Sequence, residues 1–326
     1  MIELLKQNRV ERTYRGGKNI SSFTGEPLQS DFFPEDWTTS TISVIGSDGK
    51  QHGLGTTKSG KKIKNISKPL TYLLKLLDSE ERLVVQVHPT IEFAKKHFNS
   101  VYGKTECWYI INANPESCVY LGFKPSISKT LWRDAVLSGN SKKILSLLNR
   151  INIHPGDFIF VEGGTPHAIG ENIFLLETQE PTDFMAVAEK FTPSGVKIPE
   201  YRLTGGIDFE TALDMYSYTG YTPDETVKKY ISHPVSVPDS VTQILKSPFN
   251  IRLISGNADI ELQKKRRCRH LGRLRRNFWC PRKKRRSAIF IWRKWNPHNR
   301  PFGFSYLSMR IERSHLIYPK DHIYLR

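Results

Sequence analysis

Gly156-Asp157-Phe158-Ile159-Phe160-Val161-Glu162-Gly163-Gly164-Thr165-Pro166-His167-Ala168-Ile169 is the stretch whose reading decides the fold. After the Gly-Asp start, residues 157–161 have the apolar, aromatic run of a strand, and Gly163-Gly164-Thr165-Pro166 turns the chain again. His167 therefore follows a turn at the end of a strand, with a side chain suited to holding a metal. Two upstream segments carry groups of matching chemistry. In Val85-Gln86-Val87-His88-Pro89, residues two apart on a strand share a face, so Gln86 and His88 converge while Val85 and Val87 point into a core. In Gly103-Lys104-Thr105-Glu106-Cys107-Trp108, Glu106 opens a further strand over residues 107–111, and Lys104, two residues earlier, falls on its metal-facing side.

Two imidazoles, one carboxylate and one amide oxygen suit zinc, manganese or a similar divalent ion, and they leave positions open for water or substrate. Such openness belongs to catalysis rather than to a structural site. Either histidine alone would be read as a hydrogen-bonded core residue; the three segments together favour a metal, one zinc per chain with another divalent ion as the alternative. An amide binds zinc weakly, so Gln86 either ligates or orients a neighbour.

The spacing of Gly156, Gly164 and His167 resembles the second sequence motif of cupin barrels, while the first motif is altered, with Gln-x-His in place of His-x-His and its glutamate displaced to Glu106. Together the three segments resemble type I mannose-6-phosphate isomerase (phosphomannose isomerase) in its short bacterial form. Pro69-Leu70-Thr71-Tyr72-Leu73-Leu74-Lys75-Leu76-Leu77-Asp78 looks like that family's helix leading into its Gln-Val-His-Pro strand. Residues 14–17 and Glu35-Asp36-Trp37-Thr38-Thr39-Ser40 look like its N-terminal pieces, and residues 207–218 like the helix that enters its second half. The resemblance covers residues 8–263.

It implies a mainly β fold, a cupin-type jelly-roll barrel with helical additions and a second, incomplete cupin half. The implied reaction is reversible isomerisation of mannose 6-phosphate and fructose 6-phosphate through an enediol, with a small-molecule sugar phosphate as partner and no redox cofactor. The implied metal ligands are Gln86, His88, Glu106 and His167. Lys104 is the implied pocket cation and Glu177 the pocket carboxylate. Two positions depart from the family: Val187 stands where many members have an active-site arginine, and Val84 where they often have a phosphate-touching serine. The positive charge would then come from Lys104, Lys190 or Arg202. The alternatives are a related sugar-phosphate isomerase or epimerase, and a non-enzymatic cupin that uses a basic tail to bind nucleic acid.

The division read from sequence is a metal-binding catalytic domain over residues 1–205, the start of a second cupin-like half over 206–263, and an atypical tail over 264–326. A helical insertion spans residues 128–148, with Ser138-Gly139-Asn140 as a break between two helices. The tail holds 20 of the 49 Lys and Arg but two of the 32 Asp and Glu, which leaves 29 basic and 30 acidic groups in the rest. Basic residues interleaved with Phe278, Trp279, Trp292 and Trp295 have the composition of a nucleic-acid-binding or membrane-surface segment. The favoured reading is that the tail was never selected as part of the fold, as an altered reading frame would produce, and that nucleic-acid binding is not its selected role. Cys107, Cys118, Cys268 and Cys280 form no paired zinc motif and read as reduced cytoplasmic thiols. The N-terminus lacks a signal-peptide core, and no run of about 20 apolar residues suggests a membrane span. The sequence does not fix an oligomeric state.

Overall fold

In this computed structural model the described residues are 2–46, 49–66, 70–235, 241–245, 249–255, 286–292, 308–311 and 314–317. The chain divides into two units, Glu3–Pro234 and Val235–Arg326 with Met1–Ile2.

Glu3–Pro234 is built on β1 (Arg9–Val10), β2 (Glu35–Thr39), β3 (Leu73–Ser79), β4 (Gln86–Val87), β5 (Glu106–Ala113), β6 (Cys118–Phe123), β7 (Leu148–Asn152), β8 (Phe158–Val161), β9 (His167–Ile169), β10 (Ile173–Gln179), β11 (Ala186–Val187) and β12 (Ile231–Ser232). Seven of these form one sheet in the order β12-β8-β5-β10-β3-β2-β1, and five form a second, β7-β6-β9-β4-β11. The fold is mainly β, as expected. Trp108, Ile110 and Leu175 of the larger sheet join Val119, Leu121 and Ile169 of the smaller in one apolar core.

The other face of the smaller sheet has its own core, because side chains alternate along a strand. Val85, Val87 and Ala168 lie there against Trp132, Ala135 and Ile144 of the insertion, joined by Phe123, which a register shift with Gly122 at φ 67° turns away from Leu121. The sequence places the two insertion helices correctly, since their ends carry their own capping groups. Lys129–Ser138 starts where the Ser128 side chain accepts from the Leu131 amide and ends on Gly139 at φ 64°. Ser141–Ser146 follows at once, capped by Asn140 accepting from Lys143. Trp132 seats edge-on against Phe123, with ring centroids 4.9 Å apart. The helix expected in residues 207–218 is the short Phe209–Leu213, capped by Asp208.

One expectation fails. The run containing Lys75, read as a helix, is the strand β3, paired on one side with β10 and on the other with β2. All seven residues are buried. A strand covered on both faces loses its polar alternation, so periodicity cannot tell it from a buried helix.

In the other unit, Val241–Leu245 pairs antiparallel with Phe249–Ser255, which in turn pairs parallel with Arg286–Trp292. Phe249, Ile251 and Leu253 turn one buried face inward. Ser308–Ile311 and Ser314–Ile317 form a hairpin. The remainder of the basic tail, with Cys268 and Cys280, lies outside the described residues, as do residues 258–260, which read from sequence as an early strand of the second cupin half. Cys107 and Cys118 are buried free thiols. No helix among the described residues is long and apolar enough to cross a membrane.

Candidate metal centre and its cavity

Three turns lock the ligand-bearing segments together. The Lys104 amide donates to the Pro89 carbonyl (3.0 Å) and the Gly164 amide to the His88 carbonyl (2.7 Å). Gly103 and Gly163 allow this closeness, since a Cβ at either would stand 2.5 and 2.6 Å from the Pro89 carbonyl oxygen. Gly164 sits at φ +91°, a conformation that an L side chain resists. Register completes the alignment: His167 pairs with Gln86 in the smaller sheet, while Val161 and Gln179 flank Glu106 in the larger.

His88, Glu106 and His167 consequently meet, all buried, with ligand atoms within 4.8 Å of one another. Glu106 Oε2 lies 3.3 Å from His88 Nε2, and its Oε1 lies 3.3 Å from His167 Nε2. Each ring is held from behind: His88 Nδ1 donates to the Phe184 carbonyl and His167 Nδ1 to the Thr165 carbonyl, both at 2.9 Å. This fixes the tautomer in which Nε2 presents its lone pair to the centre. Glu106 Oε2 and His167 Nε2 have no hydrogen-bond partner although buried. Orphaned acceptors at such depth are costly, and a divalent cation is what this donor set fits.

Charge at the centre follows from burial. Desolvation, helped by the ammonium of Lys104, pushes His88 down to about 3, so its ring is neutral and able to ligate. Burial alone would raise Glu106, but Lys104 and the two histidines hold it well below the ordinary carboxyl range. Lys104 Nζ stands 2.8 Å from His88 Nε2 and 3.4 Å from Glu106 Oε2.

Gln86, Lys104, Glu106 and Glu177 reach the wall of a cavity of about 750 Å³. Opposite Glu177 in the register is Lys75, whose Nζ lies 3.2 Å from its carboxylate. Burial and the nearby charge of Glu106 nevertheless push Glu177 up to about 8. Arg202 also lines the cavity. Lys190 is exposed and is not among the lining residues. The structure thus gathers seven of the eight expected side chains at one centre and its cavity, and sets Lys190 apart.

A neighbouring polar cluster was not anticipated. Glu35 accepts from Arg12 Nε (2.9 Å) and Tyr14 Oη (2.8 Å) on one oxygen, and from Trp37 Nε1 (2.7 Å) and Lys75 Nζ (3.4 Å) on the other. Arg12 also reaches Asp183 (3.3 Å), and Arg12, Glu35, Lys75 and Asp183 all line the cavity. A charge within an otherwise apolar strand, Lys75 between Leu74 and Leu76 or Glu177 after Leu176, was the available signal.

No family model matches the chain. Curated relatives do match. Over 111 residues the chain is 41% identical to mannose-6-phosphate isomerase ManA of Bacillus subtilis, covering 34% of each. It is 34% identical over 180 residues to the probable mannose-6-phosphate isomerase GmuF of the same organism, covering 52% of this chain and 55% of that one. The mannose-6-phosphate isomerase of Streptococcus mutans is 31% identical over 189 residues, at 55% and 58% coverage. The chain resembles mannose-6-phosphate isomerase. The recognition made from its motifs holds over the part these relatives cover, and the chain spans about half the length of GmuF and the Streptococcus mutans protein. The crystal structure of the mannose 6-phosphate isomerase from Bacillus subtilis aligns at TM-score 0.53 and 23% identity, over 74% of this chain and 73% of that one, which shows a shared fold.

Proposed function

We propose that this chain is a metal-dependent isomerase that interconverts mannose 6-phosphate and fructose 6-phosphate. The observation that carries this reading is the buried group of His88, Glu106 and His167 beside a cavity that Lys104 and Glu177 also line. These three residues would hold a zinc or other divalent ion, with Gln86 adjacent. When bound, the ion supplies Lewis-acid stabilisation of charge on substrate oxygens.

The remaining chemistry falls to the chain's own groups. Glu177, a buried carboxyl raised to about 8, is suited to take a proton from C2 and return it to C1. Lys104 presents a fixed ammonium where negative charge grows on the enediol oxygen, in a buried setting that strengthens its effect. Thr165 and Phe184 carbonyls keep the two imidazoles aimed. In this reading the catalytic part is residues 1–205, residues 206–263 begin a second cupin-like half, and the basic tail 264–326 takes no part in the chemistry. A cytoplasmic location is part of this reading, since its substrate would be a phosphorylated sugar. The test is a coupled isomerase assay with mannose 6-phosphate on protein stripped of metal and then reloaded with zinc. Turnover that returns with zinc supports the reading; turnover equal in stripped and reloaded protein refutes it.

A further inference from the structure

A phosphosugar needs a cationic anchor, and Val84 and Val187 cannot provide one. Two guanidinium groups on the cavity wall share one carboxylate: Arg12 Nη2 lies 3.3 Å from Asp183 Oδ1, and Arg202 Nη2 lies 3.8 Å from Asp183 Oδ2. Asp183 immediately precedes Phe184, whose carbonyl holds His88, so the pair stands close in the chain to the metal centre. We propose that Arg12 and Arg202, joined through Asp183, bind the phosphate of the substrate. This rests on the isomerase reading above.

Arg12 is built as a fixed donor. Its side chain is 6% exposed. Glu35 takes its Nε, Asp183 takes its Nη2, and the guanidinium carbon lies 5.0 Å from the Trp37 ring centroid. The remaining nitrogen, Nη1, is buried and has no hydrogen-bond partner, which is unusual for an arginine so completely engaged. Arg202 is the adaptable member. Its other contacts are weak acceptors, the Met185 sulfur (3.2 Å) and the Tyr201 hydroxyl (3.2 Å), and its ion pair with Asp183 is long. A phosphate dianion offers several oxygens to the two forks, and arginine suits such multidentate contacts where lysine does not. Lys75 and Lys104 line the same cavity, but each is a point charge without the planar fork of an arginine.

Inorganic phosphate is the probe, titrated calorimetrically into the zinc-loaded full chain. Arg202→Gln and Arg12→Lys should each raise the Kd by about tenfold or more, the loss expected when a charge-assisted hydrogen bond is removed. KM for mannose 6-phosphate should rise in parallel while kcat changes by less. Zinc content should be unchanged. Lys190→Gln, on the exposed lysine, should leave the Kd unaltered. If Arg12→Lys fails to fold, Arg202→Gln decides, since its side chain is only partly buried. Phosphate that binds both arginine variants as well as it binds the wild type, or that does not bind the wild type, overturns the proposal. A wild-type chain that binds phosphate through these arginines but does not turn over mannose 6-phosphate would sink the isomerase reading and leave the anion site standing.

Discussion

Replacing Glu35 by glutamine preserves the size of the side chain and removes the charge at the node of the buried cluster. The carboxylate receives four donors, two on each oxygen, from Arg12, Tyr14, Trp37 and Lys75. An amide cannot reproduce this, because whichever way it is placed its NH2 faces two of those donors. Breaking a buried ion pair on one side costs about 3–5 kcal/mol, since the surviving charges stay desolvated. For a unit of this size each kcal/mol moves Tm by roughly 2–4 °C, so Glu35→Gln should melt roughly 6–20 °C lower. The difference should also depend on pH in a definite sense. Burial alone would raise the Glu35 carboxyl, but Arg12 and Lys75 hold it far below the ordinary range. Its contribution is therefore complete above the unfolded value of about 4.3 and is lost as pH falls through that value toward the folded one. Urea titrations of wild type and Glu35→Gln should show the full gap at pH 7 and a shrinking gap below about pH 4. A gap under about 1 kcal/mol at pH 7, the range of an exposed pair, or one that is constant from pH 7 to pH 3, would refute this account.

His167→Ala should lose bound zinc by elemental analysis and lose metal-dependent turnover with it; stoichiometric zinc in the variant would count against the triad. Lys104→Met should keep its zinc yet lower kcat by about 100-fold or more, as removal of a buried charge-stabilising group does. Glu177→Gln should lower kcat by about 10²–10⁴-fold, and the rise of wild-type kcat/KM with increasing pH should vanish, because the group must lose its proton to act as base. A Glu177→Gln enzyme with a wild-type pH profile would reassign the base. Gly163→Ala brings a methyl to 2.6 Å from the Pro89 carbonyl oxygen and must displace the segment carrying His88, so zinc affinity measured by competition with a chelator should fall about 10–100-fold.

The convergence of His88, Glu106 and His167 could be read in advance because each sits within a few residues of its own turn signal: His167 after Gly163-Gly164-Thr165-Pro166, His88 before Pro89, Glu106 after Gly103. The insertion helices were legible for the same reason, with Ser128, Gly139 and Asn140 marking their ends locally. The charged cluster on the cavity wall has no such local mark. Arg12 and Asp183 are 171 residues apart, and Glu35 meets Lys75 only because β2 pairs with β3 while β10 brings Glu177 to the opposite side. Misreading β3 as a helix hid that juxtaposition, since on a helix Lys75 would have been placed by a 3.6-residue period rather than opposite Glu177. Beside Glu11 and after a short polar stretch, Arg12 has the sequence context of a solvated charge. Its burial is a property of register, which depends on strands distant in sequence pairing in one order. The chemistry of single residues was therefore legible from spacing, while the charges that line the cavity became visible only once β2, β3 and β10 were set side by side.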